Sequence, residues 1–226
     1  MKVKLIGITR PVTSDYGDTP ADIVAYCARV SNPKNQNNFT TGPKLLSYMI
    51  REGHWSPFEM VHLTIEIETT RDIARQILRH RSFAFQEFSQ RYADPTKELS
   101  FVERQARLQD PKNRQNSIEL NTAENIGLKH TWFHKQLTII EQVQKVYSWA
   151  IENGIAKEQA RAILPEGLTQ SRLYMAGNLR SWIHYCQLRM GNGTQLEHTE
   201  IATECWKILG KEFPEVIAVV EQLCEA

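Results

Sequence analysis

The sequence has almost no excess of charge of either sign. Its 27 lysines and arginines stand against 26 acidic residues, for a net charge of +1. A protein that holds duplex nucleic acid mainly through its phosphates is ordinarily far more basic, so nucleic acid is not an expected partner. No apolar run approaches the ~20 residues needed to cross a bilayer, and the opening MKVKLIGITRP turns polar too soon for a secretory signal. The expectation is a cytoplasmic protein with no membrane partner. The four cysteines (Cys27, Cys186, Cys205 and Cys224) contain no C-x-x-C pair, which argues against a zinc site and a disulfide framework. Cys186 and Cys205 fall in apolar helical patterns and read as small hydrophobes. No G-x-G-x-x-G follows a strand, and there is no P-loop and no G-x-S-x-G elbow. A Rossmann dinucleotide site, a P-loop fold and a serine-hydrolase triad therefore have no anchor. No convincing set of carboxylates and histidines suggests a metal, which leaves a metal-dependent nucleotide hydrolase unsupported.

What remains is an ordinary globular composition, 41% apolar and 23% charged over 226 residues. That length suits one domain with an ample core; repeats, low-complexity tracts and linkers are lacking, so 1–226 reads as a single unit. Val3–Ile8 alternates as a strand. Thr19 and Pro20 read as the cap and first position of a helix running to about Val30. Gly42-Pro43 opens another helix, which Gly53 ends. Val61–Glu68 alternates with period two, as a strand with one buried face does. Thr69-x-x-Asp72 resembles a capping box for a helix over 70–81, on which Arg71, Arg75 and Arg79 form one stripe. The segment from Phe101 to Asn121 reads as an irregular surface excursion. A long helix is expected from about Thr122 to Asn153, with Gly154 as its stop. Its seam of Ile126, Phe133, Ile140 and Tyr147 suits either a partner helix or the core. A short helix ends before Pro165, Thr169–Ala176 reads as a strand, and Asn178 caps LRSWIHYCQLRM. Thr194-x-x-Glu197 is a capping box for the next helix, and Pro214 begins the last. Helices outnumber strands in a mixed order, which makes the fold class α+β.

The densest chemistry lies in RHRSFAFQEFSQRY, from Arg79 to Tyr92. Widened to Arg71, the window holds five arginines and no lysine. Arginine favours planar, bidentate contacts to phosphate and carboxylate and stacks on flat rings. Run as a strand, Ser82–Tyr92 puts Glu87, Ser89 and Arg91 on one face, ~6.6–7 Å apart. Residue types alone leave two readings open, a face for a phosphorylated, hydroxylated ligand and a solvated, salt-bridged edge. A third, in which Phe83, Phe85 and Phe88 act as stacking platforms for single-stranded nucleic acid, conflicts with the neutral charge. His54 and Glu59 sit in the aromatic segment HWSPFEM, where burial demands partners. Asn178 and Arg180 mark a helix N-terminus, where free N–H groups attract phosphate; an ordinary cap explains Asn178 equally well.

Arg79-His80-Arg81 followed by Ser89 reproduces the R-H-R-x7-S signature, and the whole stretch resembles the longer R-H-R-x-x-S-x-N-E-x-S-x-R-Y pattern of flavin-dependent thymidylate synthases. The chain keeps Arg79, His80, Arg81, Glu87, Ser89, Arg91 and Tyr92 and departs at Ala84 (serine in the family) and Gln86 (asparagine). ARVS ending at Ser31, HWSPFE from His54, ARAILP around Arg161 and NLRSWIHYCQLR from Asn178 resemble further family blocks in the family order. The resemblance implies an α+β domain with an antiparallel or mixed sheet flanked by helices. It also implies a homotetramer with active sites at subunit interfaces. The implied reaction is reductive methylation of dUMP to dTMP, with 5,10-methylenetetrahydrofolate as carbon donor, FAD as cofactor and NADPH as its reductant. It proceeds without a cysteine nucleophile. By position, Gln76, Arg79, Glu87, Ser89, Arg91, Arg161 and Arg189, with the backbone of Phe88 and Gln90, are implied to hold dUMP. Ser56, Arg79, His80, Arg81, Glu87, Asn178, Arg180 and His184 are implied to contact FAD, with Ser31, His54 and Glu59 nearby. Arg189 takes the catalytic place, beside a uracil that carries negative charge at N3.

Overall fold

The computed structural model of the chain describes residues 1–120 and 125–225. Its frame is one antiparallel sheet of β1 (Lys2–Ile8), β2 (His62–Thr70), β3 (Ala84–Glu87) and β6 (Gln170–Asn178), ordered β1-β2-β6-β3. The period-two pattern explains why one face is covered. Leu63, Ile65 and Ile67 of β2 and Leu173 and Met175 of β6 are all essentially inaccessible to solvent, while their sequence neighbours point away. Ile6 is skipped in the β1–β2 register as a bulge.

Helices α1 (Pro20–Ala28), α2 (Gly42–Arg51), α7 (Leu179–Met190), α8 (Leu196–Glu212) and α9 (Pro214–Glu225) contribute most of the rest of the main core, with Phe58, Val61, Ile73, Ala74 and Ile77 beside them. From α7, Trp182, Tyr185 and Cys186 enter that core at i, i+3 and i+4, one helical face. The Trp182 indole N–H donates to the Leu63 carbonyl at 3.3 Å, so helix and sheet are tied by a hydrogen bond as well as by packing. The expected caps form at Thr19, which makes a reciprocal box with Asp22, and at Asn178, whose side chain accepts the Ser181 N–H.

Four local expectations fail for physical reasons. α3 covers only Arg71–Ile77; its apolar face (Ile73, Ala74, Ile77) is exhausted there, and the chain turns at once to bring Phe83 against Trp182, 4.8 Å between centroids. The Thr69–Asp72 box does not form, because Thr69 lies buried inside β2 and the Asp72 carboxylate accepts instead from the Thr70 hydroxyl and Arg104. β3 stops at Glu87, and the Tyr92 and Ala93 N–H groups both donate to the Ser89 carbonyl in a turn. Glu87, Ser89 and Arg91 therefore do not share a strand face. α8 begins after Gln195, without a Thr194 cap, since Glu197 is claimed by Arg104 and Arg107.

The segment from Phe101 is also more ordered than expected. After the single turn α4 (Pro95–Glu98), β4 (Arg107–Gln109) and β5 (Ser117–Glu119) pair as a hairpin, and Leu120 is buried. The expected start of the long helix at Thr122 lies outside the described residues. α5 runs Ile126–Glu152. Its seam divides: Ile140 and Tyr147 are buried, the latter packing with Ala150, Ala160 and Leu164, whereas Ile126 and Phe133 are exposed. α6 (Lys157–Ala160) continues into a tight turn over Arg161–Ile163. Among the described residues no helix is long and apolar enough to cross a membrane.

One glycine controls the approach of the motif to this core. A Cβ on Gly177 would lie 2.4 Å from Cδ1 and 2.7 Å from Cε1 of Phe83. Gly177→Ala is expected to push that ring off Trp182 and destabilise the fold by about 1–3 kcal/mol, read as a lower urea midpoint; an unchanged midpoint refutes the close contact.

Candidate active site

The N-terminal half of α7 opens onto a cleft of about 630 Å³. Its walls come from Asn178, Arg180, His184 and Gln187 of the α7 region, Trp55 and Glu59 of the 3-10 turn over Ser56–Met60, and Ser82 after α3. Two features suit an anionic ligand with a flat ring, the Arg180 guanidinium and the Trp55 indole. The helix start adds little, since the Leu179 N–H donates to the Val61 carbonyl at 2.8 Å and the Ser181 N–H to Asn178 Oδ1 at 2.8 Å. Arg180 is half in solvent and ion-paired to Glu59. Of the residues singled out from the sequence, Glu59, Asn178, Arg180 and His184 line this cleft. Ser31, His54 and Ser56 are exposed and do not; His54 meets Tyr48 edge-on at 6.1 Å. Trp55, Ser82 and Gln187 were not singled out.

Behind the cleft, the turn after α3 brings His80 to the far end of α7. Arg189 donates from Nε to His80 Nε2 at 2.8 Å. Among the described residues no hydrogen-bond partner engages its terminal nitrogens. The His80 ring stands edge-on to Tyr185 at 4.9 Å and 6.2 Å from the ring of His198. Burial first, then the charges of Arg189, His184 and Arg79, push His80 down to about 4. It is therefore a neutral acceptor for Arg189 at neutral pH. His198, fully buried, is pushed down to about 3 by burial, Arg189 and His80. Gln76 joins the same locus through its Oε1, 3.2 Å from His198 Nδ1.

Glu87 lies along the sheet from this locus. Its Oε1 accepts from the Ser171 hydroxyl at 2.7 Å and sits 3.4 Å from Arg71 Nη1. The expected arginine stripe is thus divided: Arg71 turns to Glu87, Arg75 pairs with Glu166, and Arg79 is exposed past the helix end. Ala84 and Gln86 are exposed on β3, alternating with the half-buried Phe85 and Glu87. In the following turn Arg91 pairs with Glu158 at 3.5 Å, and Arg161 donates from Nε to the Glu158 backbone at 3.3 Å. Two guanidinium groups thus meet at one residue, whose single carboxylate pairs with Arg91 alone, and leave net positive charge. Phe88 donates its N–H to the Arg172 carbonyl at 2.8 Å, and Gln90 is buried with no partner for Nε2 among the described residues. Arg81 is exposed.

Cys186 and Cys205 are buried, and burial raises both thiols well above their ordinary value, so neither is a ready thiolate. Sequence reasoning missed Tyr185, Gln195 and His198 beside Arg189. His198 carried one signal: with Ile201, Ala202, Cys205 and Leu209 it occupies the apolar stripe of α8.

Comparison with known proteins agrees with this architecture. Residues 14–215 match the family described as thymidylate synthase complementing protein. The probable flavin-dependent thymidylate synthase of Paramecium bursaria Chlorella virus 1 is 47% identical over 98% of this chain and 99% of its own length. The flavin-dependent thymidylate synthase of Synechocystis sp. is 49% identical over 98% and 100%. Among solved structures, the UMP/dUMP methylase PolB from Streptomyces cacaoi, bound with 5-Br dUMP, superposes with a TM-score of 0.78 at 24% identity, covering 98% of this chain and 94% of that one. The match of residues 14–215 to the family and the identity to these relatives along nearly the whole chain place this chain in the thymidylate synthase complementing protein family.

Proposed function

We propose that the protein is a flavin-dependent thymidylate synthase, a methyltransferase that converts dUMP to dTMP with 5,10-methylenetetrahydrofolate as carbon donor. The observation that carries the reading is Arg189: a half-buried guanidinium, held through Nε by a neutral His80, with its terminal nitrogens left over for an anionic partner. Gln76, Arg79 and Arg189 hold the base end of dUMP. Ser89, Arg91 and Arg161, with the backbone of Gln90, take the phosphate, while the Phe88 N–H, already given to the Arg172 carbonyl, holds the turn in place, and Glu87 orients the sugar side. The excess of guanidinium over carboxylate around Glu158 supports the phosphate assignment. The unpartnered amide of buried Gln90 supports a turn that gains contacts on binding, since an unmet buried donor costs about 1–3 kcal/mol.

The cleft fits FAD by its lining: the Arg180 cation for phosphates and the Trp55 indole for a ring. Asn178, Arg180 and His184 are assigned to hold it, with Ser56, Arg79, His80, Arg81 and Glu87 around the ring, and Ser31, His54 and Glu59 at the periphery. Bound FAD, reduced by NADPH, supplies the hydride equivalent. The buried, raised thiols of Cys186 and Cys205 support a route without a cysteine nucleophile. The reading also includes a single domain assembled as a homotetramer with composite sites. Trp132, Ile139, Val146 and Trp149 support it, because α5 leaves them exposed as an apolar stripe of the kind that marks interfaces.

The test is turnover with dUMP, methylenetetrahydrofolate, FAD and NADPH. Formation of dTMP is expected, and its absence from folded, FAD-loaded protein ends the reading. The isolated protein is expected to show a flavin absorbance band on addition of FAD. Arg180→Ala is expected to weaken FAD binding by about tenfold, the weight of one charge-assisted contact; unchanged affinity removes Arg180 from the cofactor site.

A further inference from the structure

A single file of hydrogen bonds leads away from the Arg189 locus and ends on a carboxylate. His198 Nε2 lies 3.1 Å from the Tyr185 hydroxyl, and its Nδ1 lies 3.2 Å from Gln76 Oε1. Gln76 Nε2 donates to Gln195 Oε1 at 2.8 Å, and Gln195 Nε2 donates to Glu197 Oε2 at 2.9 Å. Glu197 is gripped by Arg104 Nη1 at 3.1 Å and Arg107 Nη2 at 2.6 Å. Burial pushes the Glu197 carboxyl up, but its own backbone N–H, Arg104, the Gln195 amide and Arg107 outweigh that and hold it below the usual range. Arg104 is in turn fixed by Asp72, Thr70 and the Gly167 carbonyl, and its backbone is clasped by Gln136 and Trp132.

This file has only one workable polarity. An ionised carboxylate can only accept, so Gln195 must show it an N–H. Its carbonyl oxygen then faces Gln76, which must also donate. The Gln76 oxygen therefore faces His198, whose Nδ1 must carry the hydrogen. A neutral ring leaves Nε2 as an acceptor, and Tyr185 supplies its hydroxyl proton. Reverse Gln195 and two like groups meet at both of its ends; reverse Gln76 and two carbonyl oxygens meet between it and Gln195. Gln76 retains one N–H and one carbonyl lone pair beyond those used in the file.

We propose that Glu197, clamped by Arg104 and Arg107, is a positioning residue for the pyrimidine nucleotide. Through Gln195 it locks the Gln76 amide in one orientation beside Arg189. The segment following Phe101 thereby acts as a brace for the nucleotide site. This rests on the assignment of Gln76 to the nucleotide in the function proposed above, and it adds a role for residues with no place in that scheme. The brace acts on ligand affinity and not on the reacting atoms.

The experiment is dUMP binding to the FAD-loaded full chain, by calorimetry, in four forms: wild type, Gln76→Ala, Gln195→Met and the double variant. Gln195→Met cuts the file but keeps the Glu197 ion pairs and the side-chain bulk. It is expected to weaken dUMP binding by about five- to tenfold, the weight of one neutral hydrogen bond, with FAD affinity unchanged. In the Gln76→Ala background the same substitution is expected to add nothing. Glu197→Gln, which removes the obligate acceptor, is expected to act in the same direction. Wild-type affinity in Gln195→Met overturns the brace, as does an undiminished effect when Gln76 is already alanine. Wild-type protein that does not bind dUMP instead sinks the functional reading itself, so the two failures are distinct.

Discussion

Arg189→Ala is expected to lower the rate of dTMP formation by about 10²–10³-fold, the usual cost of removing one preorganised donor to a developing anion, while FAD stays bound. The reasoning starts from the position of the guanidinium. Arg189 sits in the last turn of α7, where a cation is favoured by the helix dipole, and it is partly buried, so water screens it weakly. One of its N–H groups is committed to His80, which sets the plane of the fork. The remaining donors face whatever ligand enters. A uracil carrying negative charge at N3 meets a charge already in place, with no reorganisation during the reaction. Arg189→Lys keeps the charge but loses the fork and the Nε donor, and is expected to recover only part of the rate. A second readout separates this from a folding defect. Arg189 is one of the charges that depress His80, so His80 is expected to titrate higher in Arg189→Ala, measured by NMR of its ring protons. Wild-type turnover in that variant removes Arg189 from the chemistry. An unmoved His80 refutes the contact between them.

Much of the frame was legible because it rests on local rules. The alternation in Val61–Glu68 and the caps at Thr19 and Asn178 involve residues within a few positions of one another, and all three appear as read. The two failed capping boxes share a cause. Glu197 sits three residues after a threonine and looks like a capping partner, yet two arginines about 90 residues upstream in the sequence capture it. Asp72 is likewise captured by Arg104. A partly buried ion pair across the chain outweighs a surface cap, and nothing local announces it. The same holds for the site. The arginine motif stood out by composition and family likeness. Gln195 and His198, which the fold sets against Gln76, carry no motif of their own. The hairpin over 107–119 was missed because its strands are three residues each, too short to show a period.

The second large effect is on stability in acid, and it comes from histidine before carboxylate. His198 is fully buried and held at about 3, against an ordinary value of 6.5. The unfolded chain therefore takes up this proton first as pH falls. The neutral ring's contribution is complete above pH 6.5 and drains away as pH falls toward 3, because protonation favours the unfolded state throughout that window. Between pH 7 and pH 5 this single group is expected to cost about 2 kcal/mol of stability, at roughly 1.4 kcal/mol per tenfold change in proton concentration. His80, held at about 4, acts in the same direction; being half-exposed, it adds less, since solvent screens its charge. Most aspartates and glutamates remain ionised at pH 5, so this window isolates the imidazoles. The measurement is the urea midpoint at pH 7 and pH 5 for wild type and His198→Gln, whose neutral amide can still donate to Gln76 and accept from Tyr185. The wild-type midpoint is expected to fall, and the fall is expected to shrink by half or more in the variant. An equal fall in both assigns the acid sensitivity elsewhere. The same protonation places a full charge beside Arg189 and removes the acceptor for the Tyr185 hydroxyl. Loss of stability and loosening of the nucleotide site are therefore expected to run together as the pH drops, through one buried ring.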